Sequence, residues 1–173
     1  MASPSAVSAG ANGANGATTW RVQASSILLA GLGAFVGLAL VGLLAHKTAQ
    51  PWILGSFGAT CVLLFGFPAS PFSQPRNILG GHVLTSLAGL VCLHLLGPGY
   101  VPMALAAACA LMLMMLTRTV HPPAGSNPVI IFMAQPGWSF LVLPTLLGAA
   151  ALVLIGWSYW AVVKRGSWPV PRK

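Results

Sequence analysis

The stretch His121-Pro122-Pro123-Ala124-Gly125-Ser126-Asn127-Pro128 separates two strongly apolar segments and decides how the chain can fold. Its three prolines and one glycine exclude a regular helix, because proline removes a backbone donor and clashes with the preceding turn. Inside a bilayer, the backbone groups that such a break frees must find partners within the protein or in a watery cavity. The stretch therefore predicts a polar, broken segment at membrane depth and a candidate binding site.

The composition indicates an integral membrane protein. Of the 173 residues, 57% are hydrophobic and 5% are charged, whereas a soluble domain carries about 25% charged residues. The sequence contains eight Lys and Arg residues and no Asp or Glu. Cation transporters and proton pumps use carboxylates within the membrane, so these counts favour an anionic substrate. The alternative is that acidic residues are simply rare in small membrane proteins.

The sequence lacks the residue patterns that several kinds of metal site and catalytic site require. The cysteines, Cys61, Cys92 and Cys109, lie in apolar segments without C-x-x-C spacing, which argues against disulfides and structural zinc. There are no paired carboxylates, no partners for a nucleophilic triad and no phosphate loop. We therefore expect no enzymatic activity, no cofactor and no metal. The positive charges are scattered at segment ends, so the basic pI does not predict a nucleic-acid partner.

The chain divides into one membrane domain with two tails. Residues 1–19, rich in Ala, Ser, Gly, Asn and Thr, predict a disordered tail. Residues 20–165 form the membrane domain, with halves at about 20–97 and 98–165, and residues 166–173 form a basic C-terminal tail. Long apolar spans are predicted at 25–45, 78–96, 101–116 and 140–163. The fold class is an all-α polytopic membrane helical bundle, with short broken segments at 51–68 and 121–135.

The two short segments resemble each other and predict an inverted repeat. Gly55-Ser56 matches Gly125-Ser126, and each pair stands between two long spans. If both short segments cross, the chain makes six passages, and all Lys and Arg residues except Lys47 are cytoplasmic, as the positive-inside rule favours. If both are re-entrant, four crossings place Arg76 and Arg118 outside as well. The charge pattern therefore favours six passages in two inverted halves.

The length of the second short segment predicts where its helix begins. A helix from Asn127 to Gln135 would span about 14 Å, roughly half of a hydrocarbon layer about 30 Å thick. The preceding residues should therefore enter the membrane as extended backbone, with the helix N-terminus near the midplane. Such an end bears roughly half a positive charge and binds anions. Residues 56–60 could do the same in the first half, so two opposed helix ends would face one small anion.

The candidate substrate-binding residues are small or polar residues of the two broken segments, with two arginines at the cytoplasmic mouth: His121, Gly125, Ser126, Asn127, Gly55, Ser56, Thr60, Arg118 and Arg76. His121 either binds substrate or protons, or caps a helix end at the interface. The arginines either attract anions or only fix the topology. His82 and His94, on an apolar span, are expected to make interhelical hydrogen bonds.

The run His121-Pro122-Pro123-Ala124-Gly125 resembles the signature of the HPP family of integral membrane proteins. The stretch Gly55–Ala59, the turn Ser70–Asn77 and the pair Gly81-His82 are similar to that family as well, so the resemblance covers about residues 20–165. It implies four spans, in conflict with six passages. Plant and cyanobacterial relatives are associated with nitrite transport, which implies a small monovalent anion here. The chain departs from many relatives at Ser126-Asn127-Pro128, where a run such as Ala-Thr-Ala is common.

Together these features predict a transporter or channel for a small monovalent anion, with nitrite as the first candidate, in a bacterial inner (plasma) membrane. Import against an inside-negative potential costs about 2.3 kcal/mol per charge at 100 mV, so it requires proton coupling, for which His121 is the candidate. Otherwise the protein favours export or carries the neutral acid. The alternative function is a small structural or assembly subunit of a membrane complex. The expected partners are the anion and the lipid bilayer, and self-association stays open.

Overall fold

The computed structural model describes residues 15–49, 52–163 and 168–170, with side chains from residue 24 onward. Every regular element in these ranges is helical, and three helices are long and apolar enough to cross a membrane: Ala24–Thr48, Pro75–Leu96 and Trp138–Val163. The prediction of an all-α membrane helical bundle is therefore confirmed.

The described ranges contain six α-helices: α1 (Asn15–Thr48), α2 (Phe57–Cys61), α3 (Pro75–Leu96), α4 (Tyr100–Leu116), α5 (Asn127–Ala134) and α6 (Leu147–Val163). Shorter turns adjoin them. A π-helical turn, Val62–Gly66, follows α2, and a 3-10 turn, Pro122–Ser126, precedes α5. A 3-10 turn and a π-helical turn, together spanning Trp138–Leu146, lead into α6.

The N-terminal helix begins earlier in the chain than the sequence predicted. Residues 1–14 of the predicted disordered tail lie outside the described residues, but α1 begins at Asn15, so residues 15–19 are helical rather than disordered. Extending an existing helix needs no new nucleation, which offsets the weak helix propensity of these residues. Of the predicted basic tail, the structure describes 168–170, while 166, 167 and 171–173 lie outside the described residues.

Helix α3 stands at the centre of the bundle and forms an antiparallel hairpin with α4. The connection turns at Gly97, whose φ of 76° lies in the left-handed region that glycine adopts without a steric penalty. At the other end of the hairpin, Arg76 Nη2 donates to the carbonyl oxygen of Thr117 over 2.7 Å. The first turn of α3 therefore lies beside the end of α4.

The second broken segment follows α3 along its whole length. It starts beside the first turn of α3, where Asn77 Nδ2 donates to the carbonyl oxygen of Val120. It ends beside the last turn, where the ring of Trp138 lies 4.8 Å from that of His94. The segment thus connects opposite ends of the bundle, whereas a re-entrant segment would return to the end where it began.

The first broken segment runs back along α1 in the same manner. A Cβ atom on Gly42 would meet Ile53 at 3.7 Å, and one on Gly33 would collide with the ring of Phe65. Because Gly33 and Gly42 lie nine positions apart on α1, the segment descends roughly 14 Å of that helix between these contacts. The absence of side chains at these glycines allows the close approach.

The entry to α5 is not the extended backbone that the length argument predicted. His121 is extended, with φ −136° and ψ 95°, but the residues after it form the 3-10 turn. Proline fixes φ near −65°, a value that suits a 3-10 turn. The turn is closed by the Ala124 N–H donating to the carbonyl of His121 at 3.0 Å and by Ser126 Oγ donating to the carbonyl of Pro123 at 2.9 Å.

Two apolar clusters hold the broken segments in place. The first joins α1, α2 with its π-helical turn, and α6, and includes the fully buried Leu64 and Leu152. The second joins α3, α4 and α5 around Leu90 and Ile131, which are also fully buried. Both broken segments are therefore anchored by packing on either side of α3.

Candidate functional site

The two broken segments meet where their helices begin. Ser56 immediately precedes α2, and Asn127 is the first residue of α5. The Ser56 hydroxyl donates to Asn127 Oδ1 over 2.7 Å, and both side chains are buried. Residues 71 positions apart in the sequence are thereby joined at the level of the middle of α3, as the contact between Asn127 and Ser86 shows.

Two buried histidines flank the hydroxyl of Thr60. Thr60 Oγ1 lies 3.0 Å from Nε2 of His82 and 3.0 Å from Nε2 of His121. Nδ1 of His121 lies 2.8 Å from the carbonyl oxygen of Phe72, and Nδ1 of His82 lies 3.1 Å from the Asn127 amide nitrogen. Both rings are 0% exposed, as is Thr60. These contacts form one continuous line of hydrogen bonds from the end of the bundle to its middle.

Asn127 extends this line to the rest of α3 and toward α6. Its Nδ2 lies 3.1 Å from both Thr85 Oγ1 and Ser86 Oγ. Ser86 Oγ in turn accepts from Thr145 Oγ1 at 3.0 Å, in the turn that leads into α6. We call this set the buried polar network, and it consists of Ser56, Thr60, His82, Thr85, Ser86, His121, Asn127 and Thr145.

Four of the predicted substrate-binding residues belong to the buried polar network: Ser56, Thr60, His121 and Asn127. Three others do not reach it. Ser126 is exposed, and its hydroxyl donates to the carbonyl of Pro123. Gly125 is half-buried. Gly55 is exposed, with the side chain of Ile130 as its neighbour. Successive side chains of a helical turn point about 100° apart, so Asn127 faces α3 while Ser126 points away.

The predicted arginines lie at one end of the bundle, away from the network. Arg76 and Arg118 are both exposed and border one cleft of about 590 Å³, which also includes Gln74 and Asn77. Arg118 has a φ of 55°, in the left-handed region that non-glycine residues rarely adopt. The two guanidinium groups therefore flank the same opening.

Sequence reasoning missed Thr85, Ser86 and Thr145 and underestimated His82. The prediction that His82 makes interhelical hydrogen bonds agrees with the structure, but its bonds join it to the candidate site itself. The spacing of 82, 85 and 86 places these side chains on one helical face, which is a signal that the sequence offered. Thr145 follows a proline in an apolar run and gave no comparable signal.

His94 differs from its prediction. Its Nδ1 bonds to the carbonyl of Leu90 in its own helix, and its ring stacks on Trp138 rather than making an interhelical hydrogen bond. Helix α3 ends two residues later, so the ring of His94 lies near the end of the bundle. Its neighbour there is the exposed aromatic ring of Trp138, not the buried polar network.

The chemistry of the buried polar network is that of neutral donors and acceptors. Among the described residues, no group of three or more His, Cys, Asp or Glu side chains is placed to hold a metal ion. Hydroxyl, amide and imidazole groups can hydrogen-bond a small polar ion, and the hydroxyl and imidazole groups can also pass protons between them. The arrangement suits binding and proton transfer.

Comparison with known proteins finds similarity to a family of membrane proteins. The family described as HPP, transmembrane region, matches residues 19–169. Two Dictyostelium discoideum proteins, each named as a transmembrane protein, are 33% and 30% identical over 135 residues, which cover 71% of this chain. The chain spans 47% and 43% of their lengths, less than half in each case. No solved structure matches the chain significantly.

Proposed function

Because the chain belongs to the HPP family of integral membrane proteins, we propose that it is a transporter or channel for a small monovalent anion, with nitrite as the first candidate. The anion would lose its water between the facing ends of the two broken segments. Arg76 and Arg118 would concentrate anions at the cleft that they border. The protein acts by binding and translocation, without enzymatic turnover or a cofactor.

The observation that supports this proposal most strongly is the 2.7 Å hydrogen bond between Ser56 Oγ and Asn127 Oδ1. Paired short, interrupted helices that meet near mid-membrane are typical of transporters, because their polar ends form the substrate site. Irregular backbone at this depth is tolerated only when protein or a cavity surrounds it. A purely structural span has no need for two breaks facing each other.

The charges favour an anion over a cation. The sequence has no Asp or Glu, so no carboxylate is present to bind a cation in the membrane. The exposed arginines share one opening. Fields of this kind raise the local concentration of oppositely charged ions within a Debye length of about 8 Å at physiological salt.

The proposed topology has six passages in two inverted halves, with both termini in the cytoplasm of a bacterial cell. Its support is the path of the broken segments, each of which runs between the two ends of the bundle. Helices α1 to α3 would correspond to α4 to α6, with α2 and α5 as the broken members. The positive-inside rule then places the cleft of Arg76 and Arg118 on the cytoplasmic side of the inner membrane.

Flux measurements with the purified full chain test the proposal. In proteoliposomes, we expect nitrite to enter faster than in protein-free liposomes, and nitrate, chloride and formate establish the selectivity. His121→Ala should lower the flux by removing one buried and one partly buried hydrogen bond, and Arg118→Ala should lower it by weakening anion attraction. Unchanged flux in both variants would rule out the proposed site.

The alternative function, a structural or assembly subunit, draws support from α1. Only 17% of the apolar window of its span, Ala24–Thr48, is buried, and Phe35 is 70% exposed. Lipid or a protein partner, including a second copy of the chain, can cover this face. Nitrite flux by the purified protein alone would exclude a purely structural role.

A further inference from the structure

The hydrogen bonds that join the two buried histidines have a direction that is fixed at both ends. The carbonyl of Phe72 can only accept, so His121 carries its hydrogen on Nδ1, and its Nε2 is an acceptor in the neutral ring. At the other end, the Asn127 amide nitrogen also reaches the carbonyl of His82 at 3.3 Å, which orients the amide as a donor. Nδ1 of neutral His82 therefore accepts, and Nε2 carries the hydrogen.

Thr60 connects the two rings. Its Oγ1 lies 3.0 Å from each Nε2, so it accepts from His82 and donates to His121. The carbonyl oxygen of Ser56, at 3.2 Å, is a second and longer acceptor for the same hydroxyl proton. A hydroxyl that accepts on one side and donates on the other can exchange its proton in both directions without moving its oxygen. The line His82–Thr60–His121 has the geometry of a proton-transfer chain.

In its neutral form the network has no donor at these positions to offer an anion. The N–H groups of both rings and the hydroxyls of Ser56 and Thr60 already have acceptors. The arginines are exposed at the end of the bundle rather than in the network. A proton taken up by one imidazole would supply both a positive charge and a new N–H donor.

We infer that His82, Thr60 and His121 form a proton relay that transfers one proton with each anion, an inference that rests on the proposed anion transport. A proton arriving at Nδ1 of His82 produces an imidazolium. Its Nε2 proton passes to Thr60 Oγ1 as the hydroxyl proton of Thr60 passes to Nε2 of His121. His82 is left neutral with its hydrogen on Nδ1, and His121 becomes the imidazolium. The imidazolium then gives its Nδ1 proton to water at the end of the bundle where the carbonyl of Phe72 lies, and a half-turn of each ring restores the starting tautomers.

The surroundings of the rings limit the relay to one proton. The ring centroids are 5.1 Å apart, and two imidazolium charges at this separation repel strongly in a medium of low dielectric constant. The other groups that contact the two rings are neutral: Phe57, Ser56, Asn127 and the carbonyl of Phe72. The sequence contains no carboxylate that could hold a second proton. The relayed proton and the anion together have no net charge.

The experiment measures whether protons accompany nitrite. The full chain is reconstituted at mildly alkaline pH with a pH-sensitive dye inside, and potassium with valinomycin sets the membrane potential. Protein-free liposomes give the background permeation of nitrous acid. We expect nitrite entry to acidify the lumen, with an initial rate that changes less than about twofold at 100 mV inside negative, since a neutral pair does not experience the cost of about 2.3 kcal/mol per charge.

Paired variants at position 60 test the relay itself. Thr60→Val keeps the shape but removes the hydroxyl, and it should slow lumen acidification at least about tenfold, as loss of a positioned proton-transfer group does. Any nitrite flux that remains should become dependent on the membrane potential. Thr60→Ser retains the hydroxyl and should stay within about twofold of the original rate. Thr48→Val, which removes an exposed hydroxyl outside the network, is the matched control.

The outcomes separate the two proposals. If the unaltered protein gives no nitrite flux above background, the proposed nitrite transport and the relay are both overturned. If nitrite enters without acidifying the lumen, or if Thr60→Val matches Thr60→Ser in both rate and potential dependence, the relay alone is wrong. Should Thr60→Val fail to fold, flux of the unaltered protein that follows the membrane potential still overturns the relay.

Discussion

Gly81 lies directly against His121: a Cβ atom on Gly81 would be 2.6 Å from Cβ of His121. The same atom would also approach the carbonyl oxygen of Thr119 at 3.3 Å. Contacts under 3.0 Å between carbon atoms force something to shift, and here the neighbour is a short, buried side chain. The position of His121 against Thr60 therefore depends on the absence of a side chain at position 81.

Gly81→Ala should displace His121 and reduce nitrite flux at least about tenfold, since a misplacement near 1 Å can cost as much as 100-fold. Initial rates in proteoliposomes check this. Gly31→Ala is the control, because no atom lies within 4 Å of a Cβ there. Both changes raise helix propensity by roughly 0.5–1 kcal/mol, so a difference between them reports the collision. Equal rates in the two variants would mean that His121 is not held by this contact.

Asn127→Ala should lower the stability of the bundle by more than the loss of one hydrogen bond. It removes the shared partner of the Ser56 hydroxyl and of Nδ1 of His82. These two groups lie 3.5 Å apart and can form only a long hydrogen bond with each other. The hydroxyls of Thr85 and Ser86 lose a donor as well, and each buried group left unsatisfied costs roughly 1–3 kcal/mol. Asn77→Ala, which removes one half-buried bond to Val120, should cost about 1 kcal/mol.

Thermal unfolding in detergent measures this difference. The buried Cys61 serves as the reporter, through its reaction with a thiol dye after Cys92 and Cys109 are replaced by alanine. We expect a lower midpoint for Asn127→Ala than for Asn77→Ala. The reverse order would show that the hydrogen bonds of Asn127 in the buried polar network do not stabilise the bundle.

Single cysteines at positions 48 and 98 distinguish six passages from four. If both broken segments cross, Thr48→Cys and Pro98→Cys lie on the same side of the membrane, and an impermeant thiol reagent labels both from that side. If both segments are re-entrant, the two positions lie on opposite sides. The background requires replacement of Cys61, Cys92 and Cys109, and labelling before and after permeabilisation establishes the side.

Trp168→Ala should release the segment that follows α6. Trp168 is 3% exposed, and its Nε1 donates to the carbonyl of Ser73 at 2.9 Å. Truncating a buried tryptophan costs about 3 kcal/mol or more, which corresponds to on the order of 100-fold more of the opened segment.

Proteinase K cleavage at residues 168–170 in detergent should accelerate accordingly, because the rate follows the population of the open form when closing is fast. Trp157→Ala, at a position 56% exposed, is the matched control and should leave the rate unchanged. An equal effect of both variants would contradict a specific docking of Trp168.

The sequence predicted the elements of the fold well where local backbone constraints act. The predicted start of the second short helix at Asn127 agrees with α5, and the predicted end of the preceding span at Leu116 agrees with α4. Pro122 and Pro123 were sufficient to predict a break, because proline acts on its own backbone and on the preceding turn. The form of the break was predicted wrongly. It is a 3-10 turn rather than extended backbone, because Ala124 and Ser126 donate hydrogen bonds to carbonyl groups within the turn.

The candidate site was predicted only in part, because its side chains choose partners distant in sequence. Asn127 and Ser126 are adjacent and both polar, yet only Asn127 faces α3 and reaches Ser56. The role of His82 depends on the hydroxyl of Thr60 and the amide of Asn127, whose positions no local pattern encodes.

By itself, then, the sequence determined an all-α membrane bundle with two segments broken by proline and glycine. It also determined that this bundle contains no acidic side chains. The tertiary structure alone decided that these segments meet through Ser56 and Asn127, and that His82, Thr60 and His121 lie in one line of hydrogen bonds. The physical reason is one of range. Proline, glycine and hydrophobicity act on neighbouring residues, whereas a hydrogen bond requires two groups within about 3 Å in space, whatever their separation along the chain.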